Sequence, residues 1–430
     1  MQNFLPTLTA YDQLDTSEGA LDPLGLYPAS DALTVNRLCP GVRERQKHPG
    51  FLVPIAIGAM VAEEFGGRYS AEHGIPPIQI FEWYMVQSLV KTYRHTDPDR
   101  LRGLPGREKV SKAIDRFGSV NTENYLKTAS VFGFYGVYKL LGRNLGILHE
   151  DQPDSYCKSL ISAWEQDEKA NNASFRTIAR LAHDAIAYGL KYEKTNRNWP
   201  HWTAFAQSIN PQSPGAAVSE QLWSRLTGEE EPLRAEYIRY MVEEGAAVLA
   251  RSEGDERQVH NRLLRRASQP MRELLDTVQC YEEFARLLTD AFNQMLYLAS
   301  ATERTTGIDA IAGLENVQRA VRRLPQIRTR LEEGLEAQGF GRRFVEFVPL
   351  FDSVSSAADW VEALISHHIS NQHAKLPGGK MPFFDRMENG SIITRPAYRL
   401  HADPGASNDY VHQYRASSLC SFAHDLGRLH

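Results

Sequence analysis

A long amphipathic stretch, residues 260–304, limits the fold of this chain more than any other part of the sequence. Its apolar side chains recur every three or four residues, which places them on one face of an α-helix and predicts that this face is buried. Pro270 lies near the start of the stretch, where a proline either kinks a helix or marks its first turn. The predicted buried face comprises Leu274, Val278, Tyr281, Phe284, Leu288, Phe292 and Met295.

Helical spacing recurs along the rest of the chain, whereas strand signals are few. After a predicted helix over 306–324, Pro325 is well placed to open the next one. The clearest strand signal is 391–400, which follows a good hairpin turn and contains Pro396, so that it suits a sheet edge. We therefore predict a mainly α fold with a small β-containing C-terminal tail. The remaining predicted helices cover 81–94, 155–168, 173–193, 216–226, 233–250 and 325–338.

The chain has 430 residues, which exceeds the length of one ordinary domain and predicts a multi-domain protein. Turn-rich stretches rich in Pro, Gly and Asn suggest where its parts meet. The first predicted part, 1–165, is an N-terminal helical region. The second, 166–350, is a helical middle domain, and the third, 351–430, is a C-terminal helix with a β-hairpin tail.

Over residues 100–150, approximately, the predicted helices and extended segment follow each other in the order found in a winged helix. A first helix is predicted over 107–117, a short second one begins at Asn121 or Thr122, and a longer third one covers 134–145, before an extended segment. This order is that of a helix-turn-helix with the start of a wing. We therefore predict a winged-helix-like unit, a fold that also serves in protein–protein contacts. The side chains predicted to face inward are Val110, Ile114, Phe117, Val137, Leu140, Leu141 and Leu145.

The third of these helices supplies the residues predicted to contact DNA. Lys139 and Arg143 are four residues apart and lie on one side of a helix, with Asn144 next to them. A helix that enters the major groove needs long hydrogen-bond donors on its exposed face. Lys127 adds a positive charge ahead of the helix. Over residues 100–150, nine basic side chains stand against four acidic ones, and such a local excess drives phosphate binding.

A second basic cluster precedes the apolar run 51–62, which we interpret as a buried helix or helix start. Arg43, Arg45 and Lys47 lie within five residues, and Glu44 is the one acid among them. The net charge of the whole chain is −5, so any nucleic-acid surface must be local. We predict that these three side chains bind DNA phosphates or, alternatively, the acidic face of a partner.

Motifs of catalysis are missing from the sequence: there is no GxSxG, HExxH or GxGxxG pattern. His367, His368 and His373 lie close together, but their separations do not place two zinc ligands on one helix face. We therefore predict no catalytic residue, no metal site and no cofactor. The start of the chain lacks a signal-like pattern and no apolar run is long enough to span a bilayer, so we expect a cytoplasmic protein without membrane contact.

Four stretches of the sequence resemble poorly characterised bacterial proteins encoded in multi-gene anti-phage defence clusters. They are DPLGLYPASDALTVNRLCPGVRERQKHPGFL (22–52), VFGFYGVYKLLGRNLGIL (131–148), KLPGGKMPFFDR (375–386) and RPAYRLHADPGASNDYVHQYR (395–415). The resemblance implies a bacterial cytoplasmic subunit that works with other defence-system proteins, such as a helicase or nuclease, on foreign DNA. It transfers this context and no individual residue.

These patterns together predict a non-catalytic DNA-binding or assembly subunit of a bacterial anti-phage defence complex. Two alternatives stay open at this point. One is a structural protein–protein adaptor whose basic faces dock onto an acidic protein without DNA contact. The other is a helical nuclease with an unrecognised site.

Overall fold

The computed structural model describes residues 22–167, 174–209, 214–301, 305–351, 356–375 and 378–429. These residues are mainly α-helical and include two antiparallel sheets of two strands each. The predicted mainly α fold class is therefore confirmed. No helix among the described residues is long and apolar enough to cross a membrane.

The helices and strands are named in chain order. In the first half of the chain the helices are α1 (Tyr27–Leu33), α2 (Leu52–Glu63), α3 (Pro77–Tyr93), α4 (Arg107–Phe117), α5 (Ala129–Phe132), α6 (Phe134–Asn144), α7 (Cys157–Asp167), α8 (Phe175–Tyr192) and α9 (Trp202–Ser208). In the second half they are α10 (Ala216–Leu226), α11 (Pro232–Tyr240), α12 (Ala246–Arg251), α13 (Glu256–Leu263), α14 (Gln269–Ala301), α15 (Ile308–Ala312), α16 (Glu315–Ala337), α17 (Gly341–Phe344), α18 (Ala357–Ala374) and α19 (Ala416–Asp425). The strands are β1 (Leu148–His149), β2 (Gln152–Pro153), β3 (Phe384–Arg386) and β4 (Ile392–Thr394).

The described chain divides into two compact units. The α3 unit comprises Thr34–Gly254 together with the residues from Arg415 onwards. The α14 unit comprises Asp255–Tyr414 together with the described residues up to Leu33. The three-part division predicted at about 165 and 350 stays a prediction, and its first 21 residues lie outside the described part of the chain.

Helix α3 is the centre of the α3 unit. Pro77 lies in its first turn, where the missing N–H removes no helical hydrogen bond. Every side chain from Ile80 to Val90 is buried, because α2, α4, α6, α8 and α9 all pack against this helix. The approach of α8 is close: a Cβ atom on Gly189 would lie 2.3 Å from the Ile80 side chain. A larger residue at 189 would push the two helices apart.

Helix α14 is the centre of the α14 unit. The predicted buried face of the amphipathic stretch is confirmed, since all of its side chains are buried. The stretch divides into α13 and α14, and Pro270 lies in the first turn of α14. Helix α16 runs antiparallel along α14: Gly334 lies beside Thr277 at one end, and the amide of Asn316 bonds the Gln294 side chain at the other.

The prediction that Pro325 opens a helix is wrong, because this residue lies inside α16. An interior proline removes one helical hydrogen bond and costs about 3 kcal/mol. The helix nevertheless continues, because Leu324 and Ile327 on either side of the proline are both buried. The packing of α16 on α14 therefore outweighs the local conformational preference.

The predicted C-terminal hairpin is present, but its second strand is shorter than the predicted range 391–400. Strand β4 pairs antiparallel with β3, so that Ile392 lies opposite Arg386. Gly390 in the turn has a φ of 81°, which suits glycine. Pro396 begins a 3₁₀ turn and so ends the strand before residue 400.

The elements of the predicted winged helix are found in part. Helices α4 and α6 and the β1–β2 hairpin lie where the sequence predicts them, but the predicted second helix at Asn121 or Thr122 is wrong. The Asn121 side-chain oxygen accepts hydrogen bonds from the amides of Glu123 and Asn124, at 3.1 and 3.0 Å. This local turn competes with helix formation, and only the single turn α5 follows it. The winged-helix-like unit as a whole stays a prediction.

Some side chains of this region face differently from the prediction. Phe117 is 59% exposed, and Ile114 and Leu140 are only half-buried. Phe117 is the last residue of α4, whose buried side chains, Val110 and Ala113, lie nearer its start. The 3.6-residue period of the sequence therefore predicts which face of the helix is buried. It does not predict how much of the helix length is covered by the elements that pack against it.

Candidate nucleic-acid interface

The basic loop at residues 43–48 is held in place by a buried amide. Gln46 is fully buried, and its side-chain nitrogen donates hydrogen bonds to the carbonyl oxygens of Gly41 and Val137, at 3.3 and 2.9 Å. Its side-chain oxygen accepts from the amide of Arg43 at 2.9 Å. Because buried polar groups need partners, these bonds fix the loop against α6.

A tyrosine of α6 provides a second anchor for the loop. The hydroxyl oxygen of Tyr138 accepts hydrogen bonds from the backbone amides of Lys47 and His48, at 3.0 and 3.1 Å. Tyr138 is fully buried, and burial raises the pKa of its hydroxyl above the ordinary value. The hydroxyl therefore stays neutral, and the backbone beside Lys47 has one fixed position.

The segment that contains Phe132 connects two predicted DNA-binding residues, Arg45 and Lys127. The guanidinium carbon of Arg45 lies 4.6 Å from the centre of the Phe132 ring, a cation–π contact, and Arg45 is exposed. Phe132 closes the turn that begins at Thr128, directly after the exposed Lys127. The segments 43–48 and 127–132 are thus neighbours, although about eighty residues of sequence separate them.

A third basic segment borders the same loop. A Cβ atom on Gly103 would lie 3.0 Å from the Cβ of Lys47, and Nε2 of His48 lies 2.9 Å from the Arg102 carbonyl oxygen. Arg102 itself is exposed. Three separate segments therefore bring basic side chains to one region of the α3 unit. We call this region the basic surface: Arg45, Lys47, Arg102 and Lys127.

Two carboxylates of this region have partners within the unit. Asp425 of α19 lies 2.5 Å from Nδ1 of His48, and Glu44 lies 3.7 Å from the buried guanidinium of Arg415. Arg43 is half-buried, and its Nε atom is buried with no hydrogen-bond partner among the described residues. Of the three basic residues predicted in this loop, Arg45 is exposed, whereas Arg43 and Lys47 are half-buried.

Of the residues predicted on the recognition helix, Arg143 is bonded within the α3 unit and Lys139 lines a cavity. Arg143 donates to the Glu150 carbonyl oxygen at 2.6 Å and to the Asp151 carboxylate at 2.9 Å. Lys139 is half-buried and lines a cavity of about 210 Å³. These two side chains therefore lie in a different environment from the basic surface.

Asn144 belongs to a buried polar network. Its side-chain oxygen accepts from the guanidinium of Arg234, and its nitrogen donates to Glu231 at 2.8 Å. Arg234 is fully buried and also donates to the Pro40 carbonyl oxygen at 2.9 Å. A buried guanidinium needs such acceptors, so the structure gives Asn144 a role in holding α6, α11 and the chain at Pro40 together.

A buried carboxyl group occupies the start of α6. Glu82 of α3 accepts a hydrogen bond from the Tyr135 amide at 2.8 Å and one from the Tyr125 hydroxyl at 2.5 Å. Burial raises its pKa to about 7. The position was missed from the sequence, since Glu82 lies in a run of apolar and aromatic residues with helical spacing.

Two histidines of α18, His367 and His368, have structural partners in the α14 unit. Nε2 of His368 accepts from the Phe383 amide at 3.0 Å, and its Nδ1 lies 2.8 Å from the Pro23 carbonyl oxygen. Burial lowers the pKa of His368 to about 4, so the ring is neutral at physiological pH. His367 contacts the Leu24 carbonyl oxygen at 2.8 Å.

One group of metal-ligand type occurs within the described residues: Glu72, His73 and Glu193. Nδ1 of His73 lies 2.5 Å from Glu193, and the same carboxylate accepts from the Glu72 amide at 3.0 Å. The hydrogen bond to Glu193 raises the pKa of His73. These contacts tie the turn at 70–75 to the end of α8 and give the carboxylate partners of its own.

Comparison of the chain with protein-family models, with curated proteins and with solved structures gives no match.

Proposed function

We propose that this protein is a non-catalytic subunit of a bacterial anti-phage defence complex, and that its α3 unit binds the phosphate backbone of DNA through the basic surface. The observation that carries the proposal is the meeting of Arg45, Lys47, Arg102 and Lys127 from three separate segments of the chain. The resemblance of four sequence stretches to defence-cluster proteins supplies the cellular context, including a helicase or nuclease as partner.

The anchoring of the loop supports this proposal. Because Gln46 and Tyr138 fix the backbone next to Lys47, the loop loses little freedom when it meets a ligand. Arg45 keeps its guanidinium over Phe132, which leaves its charge at the surface. A preorganised pair of cations is suited to the regularly spaced charges of a phosphate backbone.

The proposal concerns the backbone of DNA and not its base sequence. Phosphate contacts position a protein on DNA, whereas base contacts give specificity. Arg143 and Asn144, the residues predicted to enter the major groove, already bond Asp151, Glu231 and Arg234 within the unit. We therefore expect affinity to depend on salt and to be nearly independent of DNA sequence.

The test is a titration of fluorescent duplex DNA with the full chain over a series of salt concentrations. The triple variant Arg45→Gln, Lys47→Gln and Lys127→Gln should lower the slope of log affinity against log salt by roughly two to three, since each phosphate contact contributes about 0.9. The effect should be equal for unrelated DNA sequences. A triple variant with the wild-type slope would contradict the proposal.

A control outside the basic surface is available on α8. Arg176 and Arg180 are exposed residues of α8, one helical turn apart. Their replacement by glutamine changes the net charge by two and should leave the slope within experimental error. If this control lowers the slope as much as the triple variant, binding depends on overall charge and the basic surface has no special role.

The adaptor alternative predicts a different result with the same variants. In that case the wild-type chain does not bind DNA, and the triple variant loses co-purification with its partner while the α8 control keeps it. The helical-nuclease alternative is tested by incubating the DNA with the purified chain and Mg²⁺ or Mn²⁺. Cleavage that depends on the metal would replace the non-catalytic proposal.

A further inference from the structure

One cleft of the α14 unit has a volume of about 880 Å³ and takes no part in the proposed DNA contact. Its walls are α13, α14, α16 and the segment 407–410. The α16 wall consists of three arginines, Arg319, Arg323 and Arg330. Their spacing of four and seven residues places them on one face of the helix. A ligand in this cleft therefore meets a wall of guanidinium groups.

Two carboxylates next to this wall, Glu283 and Asp290, are each shared by two arginines. Glu283 of α14 accepts from Arg323 at 2.5 Å and from Arg330 at 3.0 Å. A single carboxylate neutralises one of the two guanidinium charges, because arginine stays protonated in proteins. The group of three therefore keeps one net positive charge at the edge of the cleft.

The second shared carboxylate repeats this arrangement along the same helices. Asp290 accepts from Arg319 at 2.5 Å and from Arg286 at 3.5 Å. Arg286 also donates to the carbonyl oxygens of Asp409 and Tyr410, both at 3.0 Å, and so holds the 407–410 wall. This second group also has one carboxylate for two guanidinium groups, and Asp290 is only 5% exposed, so it lies deeper in the unit than Glu283.

Arg323 and Arg330 keep hydrogen-bond donors for a ligand. A guanidinium has five N–H donors. Arg323 bonds Gln326 and Glu283, and Arg330 bonds Glu283 and the sulfur of Cys280, the latter at 3.3 Å. The two side chains are 49% and 64% exposed. Their other donors have no partner in the described part of the chain.

Other lining residues of the cleft have the complementary chemistry. Asp276 of α14 is exposed and lines the cleft together with Asn261 of α13 and Gln279. The side chains of Gln279 and Asn261 bond each other at 2.9 Å. A carboxylate and two amides accept hydrogen bonds from hydroxyl or amino groups. The cleft is therefore suited to a ligand with an anionic end and a hydrogen-bond-donating end.

We propose that this cleft binds a phosphorylated ligand whose other end carries hydroxyl groups, with the phosphoryl group on Arg323 and Arg330 and the hydroxyl groups towards Asp276. Arginine binds phosphate with paired, geometrically matched donors, and the cleft volume lies in the range of small-molecule sites. A free nucleotide has this chemistry, and so does the terminal phosphate of a nucleic acid. The site uses none of the residues of the basic surface.

Isothermal titration of the full chain tests the site with ADP and with a 5′-phosphorylated tetranucleotide as probes. Arg323→Gln with Arg330→Gln should weaken binding of the better probe by at least about tenfold, the loss expected for charge-assisted hydrogen bonds. Arg322 is exposed on the same helix but outside the cleft, so Arg322→Gln is the matched control and should change binding less than about twofold. Tighter binding of ADP indicates a free nucleotide, and tighter binding of the tetranucleotide indicates a nucleic-acid end.

Two results would overturn this inference. One is the absence of binding for both probes at millimolar concentration, and the other is equal affinity of the wild type and the Arg323/Arg330 variant. Asp276→Asn tests the other end of the ligand and should weaken ADP while leaving inorganic tripolyphosphate unchanged. The Arg45, Lys47 and Lys127 triple variant should bind ADP like the wild type. The proposal for this cleft and the proposal for the DNA surface can therefore be contradicted independently.

Discussion

The carboxyl group of Glu82 bonds the backbone amide of Tyr135 at 2.8 Å and so joins the centre of α3 to the first turn of α6. The first amides of a helix have no partner inside the helix, and a carboxylate at that end is favoured by the helix dipole. Gly133 leaves room for it, because a Cβ atom there would lie 2.4 Å from the Glu82 oxygen. The helix that anchors the basic loop thus depends on a buried acid.

This arrangement predicts a specific dependence of stability on pH. Burial raises the pKa of Glu82 from 4.5 to about 7, so between these values the folded state binds more protons than the unfolded state. The free energy of unfolding should then increase as the pH falls from 8 to 5. Relative to Glu82→Gln, which does not titrate, the wild type should gain up to roughly 3 kcal/mol over this range.

The measurement is denaturant unfolding of both proteins at several pH values. Other groups titrate alike in the two proteins, so the difference between the two stabilities isolates Glu82. A difference that stays constant from pH 8 to pH 5 would show that the folded carboxyl group titrates like an ordinary one. Loss of stability of the wild type relative to the variant on acidification would contradict the sign of the prediction.

The sequence predicts best those features that depend on neighbouring positions in the chain. The buried face of α14 follows from its own periodicity, and all of its predicted side chains are buried. The position of Pro325 could not be predicted in this way, because α16 continues through the proline owing to packing against a helix from another part of the chain. Long-range packing therefore overrides the local signal.

The candidate site shows the same division. The sequence shows that residues 43–47 are basic and that they precede a buried apolar run. It does not show which residues of the fold hold this loop in place. Gln46 and Lys47 bond Val137 and Tyr138, which lie 91 residues further along the chain. No spacing rule connects positions so far apart. Asn144 likewise looks like a recognition residue in the sequence, and only the fold brings the buried Arg234 to it.

Tyr138→Phe should loosen the basic loop without disturbing the core. The ring of Tyr138 packs against Phe51 and Phe134, and phenylalanine keeps these contacts. The amides of Lys47 and His48 lose their acceptor, which should lower the free energy of unfolding by about 1–3 kcal/mol. Tyr192→Phe is the control, since Tyr192 is 47% exposed, and it should change stability by less than about 0.5 kcal/mol.

The same variant separates preorganisation of the loop from its charge. Tyr138→Phe removes no cation, so the slope of log affinity against log salt should match that of the wild type. The affinity for DNA should fall at every salt concentration, because a looser loop must be ordered on binding. A variant with an altered slope would indicate that the number of phosphate contacts depends on the tyrosine, contrary to this expectation.

The recognition-helix hypothesis is tested by Lys139→Ala with Arg143→Ala. Arg143 is paired with Asp151 in the unbound protein, so we expect this double variant to reduce the salt slope by less than one phosphate contact, about 0.9. Fluorescence titrations side by side with the Arg45, Lys47 and Lys127 variant provide the comparison. A larger fall in slope from the α6 residues would assign DNA contact to this helix instead of the basic surface.

Asn144→Ala should act on folding and not on DNA contact. The substitution removes an acceptor from the guanidinium of Arg234, which is 1% exposed. A buried charge that loses a hydrogen-bond partner is strongly destabilising, so the free energy of unfolding should fall by about 2–4 kcal/mol. Asn198→Ala, at an exposed position of the same unit, is the control. If Asn144→Ala instead keeps full stability and weakens DNA binding, the recognition role predicted from the sequence is correct.

Pro325→Ala should stabilise the α14 unit. Pro325 is exposed within α16, so alanine meets no steric barrier on its outer side. Alanine restores the backbone N–H that a helix interior uses, and helix propensity favours it over proline by up to about 3 kcal/mol. We expect a gain of roughly 1–3 kcal/mol, measured by denaturant unfolding, against a few tenths for Thr329→Ala at the next exposed turn. A loss of stability would mean that α16 bends at the proline to fit α14, and that the straighter helix packs less well than the natural one.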